Sequence, residues 1–305
     1  MNIIMYHYVR PIKDSAYPKL KGLEFEGFKR QLDFLSSKYE LVTADDVMNA
    51  VNFKKKLPDN CVWLTFDDGY KDHHSYVLPE LLKRKIQGSF FPSAKPILER
   101  VMLDVNSIHY ILASAKIMND LVLDLNIQLR SFGFTNQNLS ELWNSYAVPS
   151  RYDSKEAIYI KRLLQHALPK TISSKVTSIL FEKYVGVSQT DFAEKLYMSE
   201  TNVKELVNSG MYVGSHGYQH LWLNKEDKIS QKSEIDLSIK FLSSVGASTE
   251  NWIMCYPFGA YNDQTIDILS NAKCTVAVTT EVGKANLSTH HPLKLPRFDT
   301  NDFPQ

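Results

Sequence analysis

The chain has 305 residues, 44% hydrophobic and 23% charged, with a formal net charge of +1. That length suits one large domain with an elaboration or two of ordinary size, and the composition excludes a disordered or fibrous chain. So small a net charge supplies no broad field for nucleic acid or an anionic membrane, no apolar run reaches the roughly 20 residues of a membrane span, and the three widely spaced cysteines, Cys61, Cys255 and Cys274, argue against a disulfide framework and for a reducing compartment.

The opening "MNIIMYHYVR" has no basic segment followed by a long apolar one, so it lacks the signal-peptide pattern, and the expected location is cytoplasmic. Within it "NIIMYHYV" is short, apolar and β-prone, which predicts a buried strand. Residues 25–36 place Phe25, Phe28, Leu32 and Leu35 on one helical face. "TADDVMNAV" predicts a second helix capped by Thr43. "CVWLTF" reads as a strand, "YVLPELLKRKI" as a helix with Pro79 near its start, and "GSFFP" as another strand. Such alternation is the mark of a mostly parallel sheet or barrel wrapped by helices.

From about residue 98 to 200 the pattern becomes helical, with "SIHYILASAKIMNDLVLDLNIQLRSF" the longest segment, followed by "SKEAIYIKRLLQHAL" and "ISSKVTSILFEKYV". A segment that long must bury an apolar face of its own, so it reads as a helical insertion, a subdomain or lid within a single domain spanning 1–305. Alternation then resumes. "TNVKELVNSG" ends on Gly210, a C-cap, and precedes the strand "MYVGS". A helix carrying Ile235, Ile239 and Leu242 follows, and "NWIMCYPFG", "CTVAVTT" and "LKLPRF" are the last strands.

Four strand ends carry unusual polar residues: His7, the pair Asp67 and Asp68, the pair His216 and His220, and Tyr256 to Gly259. In parallel α/β folds such ends line the active site. His216 and His220, four apart, can aim two imidazoles at one point if the segment turns tightly. Alone, such a pair is more often satisfied or solvated, and "DDG" alone is often a turn. Together, two histidines and one Asp make a three-ligand set that leaves metal positions open for water and substrate. Two adjacent carboxylates can then divide the work, one binding a divalent cation and the other accepting a proton.

"TFDDGY", "SHGYQH" and "CYPFG", in that order, resemble the first three motifs of the polysaccharide deacetylases, the NodB-homology or carbohydrate esterase family 4 enzymes. The resemblance covers roughly residues 1–97 and 200–300. It implies an α/β fold, a distorted (β/α)7 barrel, and removal of N-acetyl groups from amino sugars with zinc or a similar divalent ion. It also implies that Asp67 is the catalytic base, that Asp68, His216 and His220 ligate the metal, and that the backbone N–H of Phe258 stabilises the oxyanion. Where many members carry an Arg that pairs with the base, this chain has Cys255, so Arg297 in "LPRFD" is the expected substitute, the alternative being an ion pair with Asp299. The family's late histidine acid has no evident match; His7 is the first choice and His290 or His291 the second. Tyr70, Trp222, Tyr256 and Pro257 are candidates to contact the substrate, and His73 and His74 lesser ones, while His109 and His166 read as structural.

The expected substrate is an N-acetylated, or otherwise N-acylated, amino sugar, small or oligosaccharide. With no export signal, a sugar nucleotide or a lipid-linked saccharide at the inner membrane face fits best, as in lipopolysaccharide assembly. The other readings are an amidohydrolase of cyclic ureides or formamides and a non-catalytic sugar-binding module on the same barrel.

Overall fold

The computed structural model of the chain describes residues 1–150 and 153–305. Its strands are β1 (Asn2–Tyr6), β2 (Val9–Arg10), β3 (Leu23–Glu24), β4 (Glu40–Leu41), β5 (Cys61–Asp68), β6 (Ser89–Pro92), β7 (Tyr212–Val213), β8 (Trp252–Cys255), β9 (Cys274–Val282) and β10 (Leu295–Asp299). Seven run side by side in the order β7-β6-β5-β1-β10-β9-β8, each neighbouring pair parallel, with β4 beside the start of β5.

The two edges of that sheet meet through one residue. Ser215, just beyond β7, bridges to Met254 in β8. Its N–H donates to the Ile253 carbonyl at 3.1 Å, and its own carbonyl accepts from the Cys255 N–H at 2.8 Å. The sheet thereby curls closed as the distorted (β/α)7 barrel expected. The approach requires Gly214, where a Cβ would lie 2.6 Å from the Ile253 carbonyl oxygen and 2.7 Å from the Phe91 ring.

This barrel unit comprises Met1–Pro11, Gly22–Arg100 and Glu194–Gln305. Successive strand residues face opposite sides. Ile3, Trp63, Phe91, Ile253, Val276 and Leu295 gather into one buried cluster, while Ile4, Leu64, Phe66, Phe90 and Met254 join a second with the helices. Helix α1 (Phe25–Lys38) buries Phe28, Leu32 and Leu35 of the predicted stripe, and Phe25, at its first position, is half-buried. Helix α2 (Ala44–Phe53) starts at Thr43, whose side chain accepts from the Asp46 N–H while Asp46 accepts in return, a capping box. A π-helical stretch, His73–Val77, leads into α3 (Leu78–Arg84), with Pro79 in its first turn; α4 (Ala94–Glu99) follows β6.

The second unit, Ile12–Lys21 with Val101–Ala193, is helical. It holds α5 (Asp104–Ser114), α6 (Met118–Ser131), α7 (Asn136–Tyr146), α8 (Lys155–Arg162) and α9 (Lys170–Val185), and most of α10 (Gln189–Leu196). The segment read as one long helix from residue 107 is two, broken at residues 115–117, where Ala115 and Ile117 are extended. The Ala115 carbonyl is taken by the Lys19 ammonium at 3.0 Å, and Tyr17 packs edge-on against Tyr110 and Phe192. The remaining helices, α11 (Glu200–Asn208), α12 (Lys228–Ser244) and α13 (Asp263–Asn271), belong to the barrel unit. Gly210, with φ 79°, lies just past the last turn of α11. No helix among the described residues is long and apolar enough to cross a membrane.

Gly214→Ala should therefore strain the closure between β7 and β8 and lower unfolding free energy by about 1–3 kcal/mol, as overpacking does. Gly283→Ala, whose Cβ would be no nearer than 3.6 Å to Pro296, serves as the control and should change little. Urea unfolding of both variants makes the comparison, and an unshifted midpoint for Gly214→Ala would contradict the closure argument.

Candidate active site

The end of β5 sets the site. Asp67 follows Trp63 and Thr65 on the inward face, and strand alternation puts Cys255 and Arg297 inward too, in step with Ile253 and Leu295. Arg297, 1% exposed, reaches the Asp67 carboxylate with both terminal nitrogens, Nη1 to Oδ1 at 2.9 Å and Nη2 to Oδ2 at 2.8 Å. Its remaining donors reach the Thr279 carbonyl (2.8 Å), the Thr65 hydroxyl (3.1 Å) and the Cys255 sulfur (3.2 Å). Such a two-pronged pair fixes a carboxylate in orientation as well as charge. Burial alone would push the Asp67 carboxyl up; Arg297, helped by His216 and His7, outweighs it and holds the carboxyl below its ordinary value.

Asp68 points elsewhere. It has φ 71°, a left-handed backbone that an Asp adopts at some cost, and Gly69 after it, also left-handed, packs where a Cβ would lie 2.7 Å from Pro92. Its Oδ2 accepts from the Tyr70 hydroxyl, which leaves Oδ1 buried with no hydrogen-bond partner. That oxygen faces His216 Nε2 at 3.3 Å and His220 Nε2 at 3.4 Å, and the two nitrogens are 3.2 Å apart. Burial opposes charge on Asp68 as well, but the two imidazoles hold its carboxyl well below the ordinary value.

The loop between β7 and α12 carries both histidines. The Cys255 carbonyl accepts from His216 Nδ1 at 2.8 Å, which leaves Nε2 bare and aimed at Asp68. His220 sits at φ 60°. Between them, Glu234 of α12, 2% exposed, accepts from the N–H groups of Tyr218 (3.1 Å) and Gln219 (2.8 Å) and from the Gln219 side chain (3.0 Å). The Ser93 hydroxyl donates to the His216 carbonyl at 2.9 Å.

Three donors in a triangle 3.2–3.4 Å on a side, one of them an orphaned buried carboxylate oxygen, fit a divalent ion. A triangle of that size brings every donor within reach of the roughly 2.0–2.2 Å that nitrogen and carboxylate ligands of zinc adopt. Buried carboxylate oxygens are ordinarily partnered, so the orphan itself points to a cation. Asp67, His216 and Cys255 form a second close group, but Arg297 already occupies both Asp67 and the sulfur.

Around this centre lie the other sequence candidates. His7 is partly exposed, with Nε2 4.0 Å from Asp67 Oδ2. Phe258 holds φ 58° in the turn Pro257–Gly259, and its ring packs 4.5 Å from that of His220 and stacks on Trp222 at 4.3 Å and 7°. Pro257 is buried beside it. Tyr70 and Tyr256, expected to contact substrate, do not reach a free surface: both are fully buried, Tyr70 holding Asp68 and Tyr256 donating to the Leu293 carbonyl at 2.9 Å. His73 is buried in the core, kept neutral by burial, which lowers it to about 4, and its Nε2 donates to the His7 carbonyl at 2.8 Å. His74 pairs with Glu205 on the surface. His290 and His291 are exposed, each accepting through Nδ1 from a backbone N–H of its own loop, so neither is near Asp67 by any contact found.

The family model described as "Polysaccharide deacetylase" matches residues 54–148 and 168–277, more than half of the chain, and the chain belongs to that family. Among curated proteins, YxkH of Bacillus subtilis (strain 168) is 30% identical over 124 residues, 40% of this chain and only 42% of that relative's length. The Streptococcus pyogenes deacetylase PplD, solved in complex with acetate, superposes with a TM-score of 0.59 at 17% identity, covering 98% of this chain and 91% of that one. IcaB from Ammonifex degensii gives 0.55 at 16% identity over 98% and 91%. The BpsB deacetylase domain from Bordetella bronchiseptica gives 0.55 at 10% identity over 98% and 94%. At such identities these structures share the fold.

Asp67 folds with its carboxyl below the unfolded value of about 3.9, so its pairing contributes stability above about pH 4 and loses it as pH falls through the lower folded value. Arg297→Gln leaves a buried carboxylate alone and should cost about 3–5 kcal/mol at neutral pH. The deficit should shrink on acidification, because the unpaired carboxyl protonates more readily. Denaturant titrations at neutral pH and near pH 4 test this; a deficit independent of pH would contradict the pairing.

Proposed function

We propose that the protein hydrolyses the N-acetyl group of an amino sugar, with Asp67 as the general base and Asp68, His216 and His220 as the ligands of a divalent metal, zinc first among candidates. The observation that carries this reading is the separation of two adjacent carboxylates: Asp67 is held by Arg297, while Asp68 presents an unpartnered oxygen to the Nε2 atoms of His216 and His220. When bound there, the metal supplies Lewis acidity, polarising the amide carbonyl and lowering the pKa of water.

The chain's own groups do the rest. Asp67, kept ionised and oriented by Arg297, takes the proton of the attacking water. The backbone N–H of Phe258, presented by a left-handed turn, donates to the oxyanion as the carbonyl carbon becomes tetrahedral. His7, whose Nε2 is 4.0 Å from Asp67, delivers a proton to the departing amine. Trp222 and Phe258, stacked and partly exposed, offer an apolar wall for the face of a sugar ring. The retained Asp67–Arg297 pair favours catalysis over a binding-only role, since a pocket that merely holds sugar gains little from a second buried carboxylate.

Acetate release should be measured from N-acetylglucosamine oligomers and, separately, from a sugar nucleotide such as UDP-N-acetylglucosamine; the second arm tests the carrier expected from the sequence. Chelation should abolish release, and added divalent metal should restore it. Asp67→Asn should lower kcat about 10²–10⁴-fold, and wild-type turnover in that variant would overturn the assignment of the base.

A further inference from the structure

A hollow of the barrel unit lies at the opposite end from Asp67, where β1 and β5 begin. It measures about 970 Å³ and is lined by Lys54, Lys55, Lys56 and Lys284, with Leu57 and Leu287 among its apolar wall. All four lysines are exposed. Lys56 pairs with Asp59 at 3.2 Å. Among the described residues no carboxylate lies within ion-pair distance of Lys54, Lys55 or Lys284. A chain of net charge +1 has thus collected four exposed lysines around one concavity, with Asp59 the acidic residue of its lining and Asp46 near Lys55.

A second observation adjoins it. Phe53, the last residue of α2, is 77% exposed, the most exposed aromatic ring described, and is followed at once by Lys54 in a left-handed C-cap. An exposed aromatic ring thus stands next in the chain to a lysine cluster, bordering a neighbouring hollow with Met48, Val207, Asp45 and Glu250 rather than the lysine-lined one. Ring and lysines together match what an anionic bilayer surface takes up: ammonium groups against lipid phosphates, and an apolar ring pressed into the headgroup boundary.

We propose that this end of the barrel is a docking surface for anionic phospholipid, with Lys54, Lys55 and Lys284 on the headgroup phosphates and Phe53 in the interface. Docked so, the strand ends that carry Asp67 and Asp68 face away from the bilayer. Each basic side chain at an anionic surface raises binding about fivefold, so the three unpaired lysines together contribute on the order of a hundredfold. One shallow ring and three lysines make a reversible attachment that high salt releases. The proposal is independent of the hydrolytic reading, because vesicle binding needs no turnover.

Co-sedimentation of the full chain with vesicles tests it. Wild type should bind vesicles containing phosphatidylglycerol and not pure phosphatidylcholine, with binding lost at about 0.5 M salt. Lys54→Glu/Lys55→Glu/Lys284→Glu should weaken binding at least tenfold, and Phe53→Ser should weaken it severalfold, while both keep wild-type circular dichroism. Inorganic phosphate at millimolar concentration should not compete; competition would assign the hollow to a soluble phosphate and overturn the lipid. Equal binding to neutral vesicles, no binding to either, or full binding by the triple variant would each overturn it as well. If the triple variant does not fold, the salt and lipid dependence of the wild type decides alone.

Discussion

Two carboxylates side by side at the end of a buried strand can stay ionised only if each has its own positive charge, and the architecture around Asp67 and Asp68 answers that demand. Alternation sends the two side chains to different places. Asp67 goes inward to a buried guanidinium. Asp68 is turned by its left-handed backbone toward two imidazoles. One charge is neutralised permanently by the protein, and in the proposed reading the other is neutralised by a metal. Remove either cation and an uncompensated charge is left in a region from which water is excluded.

Much of the surrounding structure serves that division. Arg297 comes from β10, two strands over from the Cys255 position in β8, and it spans the barrel interior to touch β5, β8 and β9 at once. Closure through Ser215 brings the histidine loop beside β8, so that the Cys255 carbonyl can set the His216 tautomer. Glu234, Ser93 and Tyr70 then fix backbone and carboxylate from outside the proposed ligand set, as outer partners that orient metal ligands do. Three of the non-glycine residues with positive φ, Asp68, His220 and Phe258, are at this site. Strain of that kind persists only where neighbouring contacts over-determine it.

The strands and the residues at their ends were legible in the sequence because short apolar runs, buried on both faces, stop abruptly at polar residues, as at Phe66–Asp67 and Val213–Ser215. Arg297 could be nominated for the same reason, as a charged residue at a late strand end; its inward direction, in step with Leu295, is what the structure adds. What local pattern could not carry was non-local hydrogen bonding. Glu234 is one more Glu on an amphipathic helix until the loop folds over it, and Tyr70 and Tyr256 look like surface aromatics of a motif until their hydroxyls find partners in the core. Likewise no glycine or proline marks the break at residues 115–117, where the Ala115 carbonyl accepts from Lys19, nearly a hundred positions earlier in the chain. The short segment Ile12–Lys21 joins the helical unit, although nothing in its composition says so.

Anomalous diffraction at the zinc edge, from crystals grown with the metal, tests the central claim most directly. One strong peak is expected about 2.0–2.2 Å from Asp68 Oδ1, His216 Nε2 and His220 Nε2, with Asp67 still clasped by Arg297. A peak on Asp67 and Cys255 instead, or none while those three side chains keep their places, would contradict it.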